Sequence, residues 1–332
     1  MKANAPLTRR GALTVLAAAA GLPLAGALRA RASAPELEWR GHALGGPARI
    51  VIRHPDGQRV RWIVEHCVRE VERLEAVFSL YRPHSELMRL NTKGRLAAPS
   101  HDLRLVMAEG RRFGVISGGA FDVTVQPLWR LYSGHFASHP ADRTGPAERS
   151  VERAAMLVDY RRIDCDNGRI VLSRRGMAVT LNGIAQGYIT DRITGLLRDA
   201  GMAGVLVDLG EVRAVAAPGD EAWRIGIEDP RDRSRTTGTL PLRNSALATS
   251  GGYGMPFDAD GRFHHLFDPA TGRSADQCLS ATAIAPDAMT ADALATALAV
   301  AGSGRTRSLL AAFGGSRARL TLRDGTIVED TL

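Results

Sequence analysis

Cysteine is scarce in this chain and nowhere paired by spacing. Cys67, Cys165 and Cys278 stand far apart, and three is an odd number. That excludes a Cys-x-x-Cys redox pair and a cysteine-based zinc site. It leaves room for at most one internal disulfide, and the favoured reading is three buried small apolar residues. Other signatures are missing too. The chain has no Gly-x-Gly-x-x-Gly, no Gly-x-x-x-x-Gly-Lys and no His-Glu-x-x-His. A Rossmann nucleotide site, a P-loop and a zincin are each disfavoured. No internal repeat is visible, and no low-complexity tract apart from the N-terminal leader.

Charge of one sign is also thinner than it looks. The net charge is +8, but residues 1–32 carry Lys2, Arg9, Arg10, Arg29 and Arg31 and no acid. Three net positive charges remain for the rest, too few and too scattered for a nucleic-acid partner. With 332 residues and 45% hydrophobic content, the chain can bury one large domain or two intimate ones.

The leader reads Thr8-Arg9-Arg10-Gly11-Ala12-Leu13, followed by an apolar run to Leu28. A twin-arginine pair ahead of a weakly hydrophobic Ala/Gly/Leu segment looks like a Tat export signal. Ala30-Arg31-Ala32 offers a small-x-small cleavage site, and no Cys stands nearby to anchor a lipid. The run is too short and too interrupted by Gly and Pro for a membrane span. The expectation is residues 1–32 as signal peptide, residues 33–332 as the mature domain, and a periplasmic protein.

Periodicity then places the elements. Val60, Ile63, Val64, Cys67, Val71, Leu74 and Phe78 predict an amphipathic helix after a strand at 48–53. Ser85 caps a short helical turn, and a second helix runs from about Ser100 to Ile116. Residues 133–148 read as a polar surface connection, followed by a helix at about 147–157. Asp166-Asn167-Gly168 reads as a hairpin turn between 161–165 and 169–173. Residues 178–181 predict a strand feeding Asn182-Gly183-Ile184-Ala185-Gln186-Gly187 and a helix to Ala200. Strands follow at 204–208, 212–216, 224–228, 238–242, 246–249, 263–267 and 279–284. Two helices, 288–302 and 305–313, precede two final strands at 317–322 and 326–328. Many hairpins and few βα alternations argue an α+β fold.

The helix from Ala288 to Gly302 is almost wholly apolar, with Thr290 as its expected N-cap and Gly302 as its stop. Asp292 and Thr296 interrupt it one turn apart on one face. The helix holds no Lys or Arg to meet the carboxylate, and a buried carboxylate is costly alone. A hard dication such as Mg²⁺ would meet it through oxygen ligands. The plainer alternative is an Asp bonded to helix-start backbone and a Thr bonded back to a carbonyl. The glycines of 182–187, and Ala248-Thr249-Ser250-Gly251-Gly252, suit either close approach to phosphate or ordinary turns. His264 and His265 fall on opposite faces of the expected strand.

Taken together, these stretches carry a resemblance. Phe78-Ser-x-Tyr81 with Ser85-Glu86-Leu87 and Leu90-Asn91, and Gly119-Ala120-Phe121-Asp122-x-Thr124-x-x-Pro127, resemble signatures of the ApbE family, the FAD:protein FMN transferases. So do Gly183-Ile184-Ala185-x-Gly187-Tyr188-x-x-Asp191, Ala248-Thr249-Ser250-Gly251, His265-x-x-Asp268-Pro269-x-Thr271-Gly272 and Ala291-Asp292-x-x-Ala295-Thr296-Ala297. All six lie in family order. The wording Leu181–Tyr188 is similar to the exported branch that matures respiratory flavoproteins.

The resemblance implies mixed sheets with flanking helices, as two intimately packed α+β subdomains with the active site between them. It implies FAD as donor substrate, Mg²⁺ as cofactor, and transfer of FMN to a Thr or Ser of a target respiratory flavoprotein, with AMP released. The implied metal ligands are Asp292, Thr296 and the Gly183 carbonyl. The implied FAD contacts are Leu44, Tyr81, Ala120, Phe121, Asp122, Thr180, Gln186 and Leu266, and the implied catalytic residue is His265. The family usually has Asp-Leu-Gly where this chain has Thr180-Leu181-Asn182, and Lys or Glu at Gln186. Both replacements hydrogen-bond without charge. FAD hydrolysis, or a non-catalytic flavin-binding maturation protein, are the competing functions.

Overall fold

An eight-stranded antiparallel sheet forms the centre of the structure, a computed structural model that describes residues 35–331. The twin-arginine leader and its cleavage site lie outside the described residues. The chain opens with β1 (Glu36–Ala43), β2 (Gly46–Arg53), α1 (Gly57–Phe78), α2 (Glu86–Lys93), β3 (Arg95–Ala97) and α3 (His101–Ile116). It continues with α4 (Gln126–Ser138), α5 (Glu148–Ala155), β4 (Ile163–Cys165), β5 (Arg169–Leu172), α6 (Ala185–Asp199), β6 (Gly204–Asp208) and β7 (Val212–Val215). Next come β8 (Trp223–Asp229), β9 (Asp232–Leu242), β10 (Ser245–Gly251), β11 (Phe267–Asp268), β12 (Arg273–Ser274) and β13 (Cys278–Ala285). The chain closes with α7 (Ala288–Ala301), α8 (Thr306–Ala311), β14 (Arg317–Leu322) and β15 (Ile327–Thr331). The large sheet has the order β1-β2-β6-β7-β10-β13-β14-β15.

Strand alternation assigns the two faces of this sheet. Ile50 and Ile52, Val205 and Val207, Ala246 and Ala248, and Ala281 and Ala283 point to the helical side. Val51, Leu206, Leu247 and Ile284 point the other way, where Trp223, Ile227 and Leu242 of the β8–β9 hairpin cover them. On the helical side α7 lies directly on β10 and β13, α6 on α7, and α1 on α6. The alanines of β10 and β13 meet the alanines of α7, so helix and sheet approach closely. Leu294 and Leu298 of α7 are fully buried. Truncating either to Ala would cost about 2–5 kcal/mol.

The second half, α2 to α5 with the small sheet β3-β5-β4, shares the same apolar core. Leu87, Leu103 and Ile170 belong to one cluster with Ile52 and Leu294. A separate aromatic cluster forms around Tyr132, Phe136 and Phe267. This is the mixed α+β fold with intimately packed halves that the sequence implies.

Four local expectations are corrected. Residues 178–181 join no strand ladder; the Asn91 side chain binds Val179 at both N and O (2.6 and 2.8 Å) and takes a strand's place. Of the strand expected at 263–267 only Phe267 is in a strand, while His264 makes an isolated bridge to Pro256. The polar stretch from 133 begins inside α4, which has Pro127 in its first turn and no side-chain cap to announce it. The N-cap of α7 is Asp287, whose carboxylate accepts the Thr290 N–H at 2.7 Å. The cysteines are free, with Cys67 and Cys278 buried and Cys165 half-buried. Among the described residues no helix is long and apolar enough to cross a membrane.

Candidate functional site

Two helix starts meet at the site. Asp191 of α6 accepts the first two N–H groups of α7, Ala288 and Met289, both at 2.9 Å. It also pairs with Arg213 at 2.9 Å. In return Asp292 of α7 accepts the Gly187 N–H in the first turn of α6 at 3.1 Å. These reciprocal caps fix the crossing of the two helices. The crossing is tight: a Cβ on Gly187 would stand 2.2 Å from the Ala288 carbonyl oxygen. Only glycine fits there.

The same crossing brings the expected ligands together. A Cβ on Gly183 would lie 2.9 Å from Thr296 Oγ1, so backbone and hydroxyl are neighbours. Thr296 Oγ1 is 3.2 Å from Ser250 Oγ on β10 rather than bonded back to a helix carbonyl. Asp292, Thr296 and Gly183 all line one cleft of about 920 Å³. That volume lies within the range of about 300–1,000 Å³ typical of small-molecule sites. Burial pushes the Asp292 carboxyl above its usual range; the Gly187 N–H offsets part of this, and nearby Asp191 adds to it.

Sequence reasoning missed Asp208 and Glu211 at the β6–β7 turn, acids that also line this cleft. Burial raises both, and for Glu211 the Asp292 and Asp208 carboxylates raise it further. The visible signal was an acid on each side of Leu209-Gly210 after an apolar strand. Gly210 has φ +105°, and its missing Cβ leaves space for the Gln186 amide, 2.8 Å from where that Cβ would be. A donor set of carboxylate, hydroxyl and backbone carbonyl oxygens fits a hard dication and not a soft one. Among the described residues no group of three or more His, Cys, Asp or Glu is arranged to hold a metal. Hydroxyl, carbonyl, substrate or water oxygens must complete any shell.

The other residues divide clearly. Ala120, Phe121, Asp122, Thr180, Gln186, His265 and Leu266 line the cleft. Asp122 is buried and accepts from Thr124 N, Thr124 Oγ1 and Tyr160 N at 2.8, 2.6 and 3.0 Å, which folds its own loop. Thr180 is held by its N–H on the Val123 carbonyl at 2.8 Å. Residues 248–251 are the end of β10, Gly252 opens a short 3-10 turn, and Thr249 Oγ1 pairs with Thr282 Oγ1 at 2.9 Å. Leu44 and Tyr81 are not among the lining residues. Leu44 sits in the β1–β2 turn at φ +55°, its N–H on Glu75 Oε1 at 2.7 Å. Tyr81 is 73% exposed.

The histidines differ as neighbours. His264 is buried, its ring standing where a Cβ on Gly252 would be, and its Nδ1 has no partner. Burial lowers it to about 4. His265 is half-buried on the cleft, with Nδ1 3.4 Å from the Met255 carbonyl. Burial lowers His265 as well, and that carbonyl partly offsets the shift. A neutral ring donating from Nδ1 leaves the Nε2 lone pair free to accept a proton.

Comparison with known proteins places this geometry. The chain matches the profile of the ApbE family over residues 44–320. It is 32% identical over 247 residues to the FAD:protein FMN transferase of Haemophilus influenzae, covering 70% of each chain. The FAD:protein FMN transferase of Treponema pallidum is 30% identical over 291 residues, 80% of this chain and 78% of that one. The crystal structure of the ApbE protein from Thermotoga maritima superposes with TM-score 0.78 at 30% identity, over 89% of this chain and 97% of that one. The apo flavinyl transferase ApbE of Pseudomonas stutzeri gives 0.75 at 26% identity, over 88% and 93%. On the family profile, these relatives and the shared fold, the chain belongs to the ApbE family.

Proposed function

We propose that this protein transfers FMN from FAD to a Thr or Ser hydroxyl of a target flavoprotein. The observation that carries the reading is the cleft itself: Asp292, Thr296 and Gly183 share it with His265. The acceptor oxygen attacks the phosphorus on the FMN side of the pyrophosphate. A new P–O ester bond forms, the bridging P–O bond breaks, and AMP leaves. The hydroxyl proton passes to His265 Nε2, neutral at pH 7 because burial lowers its pKa.

Asp292, Thr296 and the Gly183 carbonyl would hold Mg²⁺, which supplies charge neutralisation at the pyrophosphate. Phe121, buried beside Gly183, gives the cleft an apolar wall, and Thr180 and Gln186 offer neutral hydrogen bonds to the nucleotide. The leader supports export by the Tat route to the periplasm, and with it a respiratory flavoprotein as acceptor.

The test is direct. The mature protein, FAD, Mg²⁺ and a flavoprotein domain carrying an acceptor Thr should yield a fluorescent flavinylated band on a denaturing gel. AMP release at the same rate with and without acceptor would replace transfer by hydrolysis. Tight binding of FAD that stays intact would replace both by a carrier role.

A further inference from the structure

Glu211 has no part in the scheme above, yet it is buried in the same cleft, 8% exposed. Its Oε2 has no hydrogen-bond partner. No Lys, Arg or His forms an ion pair with it among the described residues. The nearest basic residue in sequence, Arg213, is committed to Asp191 at 2.9 Å. Arg49, also on the cleft, is committed to Glu38.

The backbone around Glu211 is well held. Its carbonyl accepts the Leu209 N–H at 3.2 Å and the Thr190 hydroxyl at 3.4 Å. The Gly210 turn packs on the Gln186 amide at the start of α6. The main chain is therefore anchored on three sides while the carboxylate is left without a partner. A buried unpaired acid is costly, and a second buried carboxyl on the same cleft adds to the cost. Asp292 and Asp208 line the same cleft, so Glu211 adds a further carboxyl to a wall where Arg213 and Arg49 are already paired elsewhere. A hard dication answers that shortage of free positive charge, since its affinity rises with the number of anionic oxygens presented.

We propose that Glu211 supplies the second carboxylate charge of the Asp292–Thr296–Gly183 dication site. This rests on the reading of that site as a Mg²⁺ site. It means that the β6–β7 turn of the large sheet shares with the α6–α7 crossing the task of holding the ion. A variant that keeps shape but loses charge separates this from mere packing.

The probe is Mn²⁺ titrated into the full mature protein loaded with FAD, with free Mn²⁺ counted by electron paramagnetic resonance. Thermal unfolding without metal gives the second readout. Glu211→Gln should weaken Mn²⁺ binding by about 10–100-fold, the range for carboxylates that support a metal. The same variant should melt higher than wild type when metal is absent, because a repulsion is gone. Glu211→Asp, which keeps the charge, should recover part of the affinity. Wild-type affinity in Glu211→Gln, with binding lost in Asp292→Asn, would overturn this inference and leave the dication site standing. Absence of Mn²⁺ binding by the wild-type protein would overturn both. A Glu211→Gln protein that melts lower without metal would make the residue a packing element and also overturn the inference.

Discussion

The two ends of the site that the resemblance implies are held differently. At the α6–α7 end Asp292, Thr296 and Gly183 line the cleft, and backbone contacts fix the crossing that carries them. Asp191 caps α7, Asp292 receives Gly187, and Gly183 stands against Thr296. At the other end Leu44 and Tyr81 lie off the cleft wall, Tyr81 largely in solvent. Glu75 connects them, accepting the Leu44 N–H and pairing with Arg82. A site whose charged end is rigid and whose aromatic end is open suits a reaction in which positioning of phosphates decides the rate.

The largest expected effect lies at the rigid end. Asp292→Ala should lower flavinylation by on the order of 10³-fold, comparable to loss of a principal electrostatic stabiliser. It should leave FAD binding measurable by fluorescence quenching. Full Mg²⁺-dependent transfer by this variant would remove the metal assignment.

His265→Asn comes next, with a loss of about 10²-fold at pH 7.5 and little change in FAD affinity. The pH profile gives the sign. The pKa of His265 is lowered, so its neutral form persists below the ordinary imidazole value. The wild-type rate should be flat near pH 7 and fall only as pH drops below about 6.5. That acid limb should vanish in His265→Asn. An unchanged limb would move the base elsewhere.

A substitution outside the chemistry sharpens the contrast. Gly187→Ala places a methyl 2.2 Å from the Ala288 carbonyl oxygen. It should destabilise the fold by about 1–3 kcal/mol, read as a fall in Tm. It should also weaken Mg²⁺ binding, because Asp292 is positioned through that contact. An unaltered Tm would show that the crossing is looser than its geometry.

How much of this could be read from sequence follows the same division. Asp292 and Thr296 were legible because helical period puts them on one face of an otherwise apolar segment, and the structure sets both on the cleft. The glycines of 182–187 were legible as a turn where backbone meets a ligand or a neighbour. Glu211 was not legible, because its meaning depends on Asp292, which α7 brings to it across the fold. Residues 178–181 look like a strand by side-chain type, but the partner is the Asn91 side chain and no pattern of alternation records it. Asp191 belongs to a motif, yet its work of capping a helix about a hundred residues later is visible only in three dimensions. The capping of α7 shows the limit at short range as well: Asp287 and Thr290 are both good caps, and the Asp takes the role.

The smallest expected effect tests the open end. Tyr81→Ala removes an aromatic ring that makes little contact with the protein itself. If this ring stacks on the flavin, as the family resemblance implies, it contributes about 0.5–1.5 kcal/mol and FAD affinity should fall about 2–10-fold. Mg²⁺ affinity and Tm should not change, since nothing in the α6–α7 crossing touches this residue. Calorimetry with FAD and with metal on one protein separates the two readings. A parallel loss of metal affinity would mean that the two ends of the implied site are coupled, through Glu75 or the shared core, and the division between a rigid and an open end would be wrong.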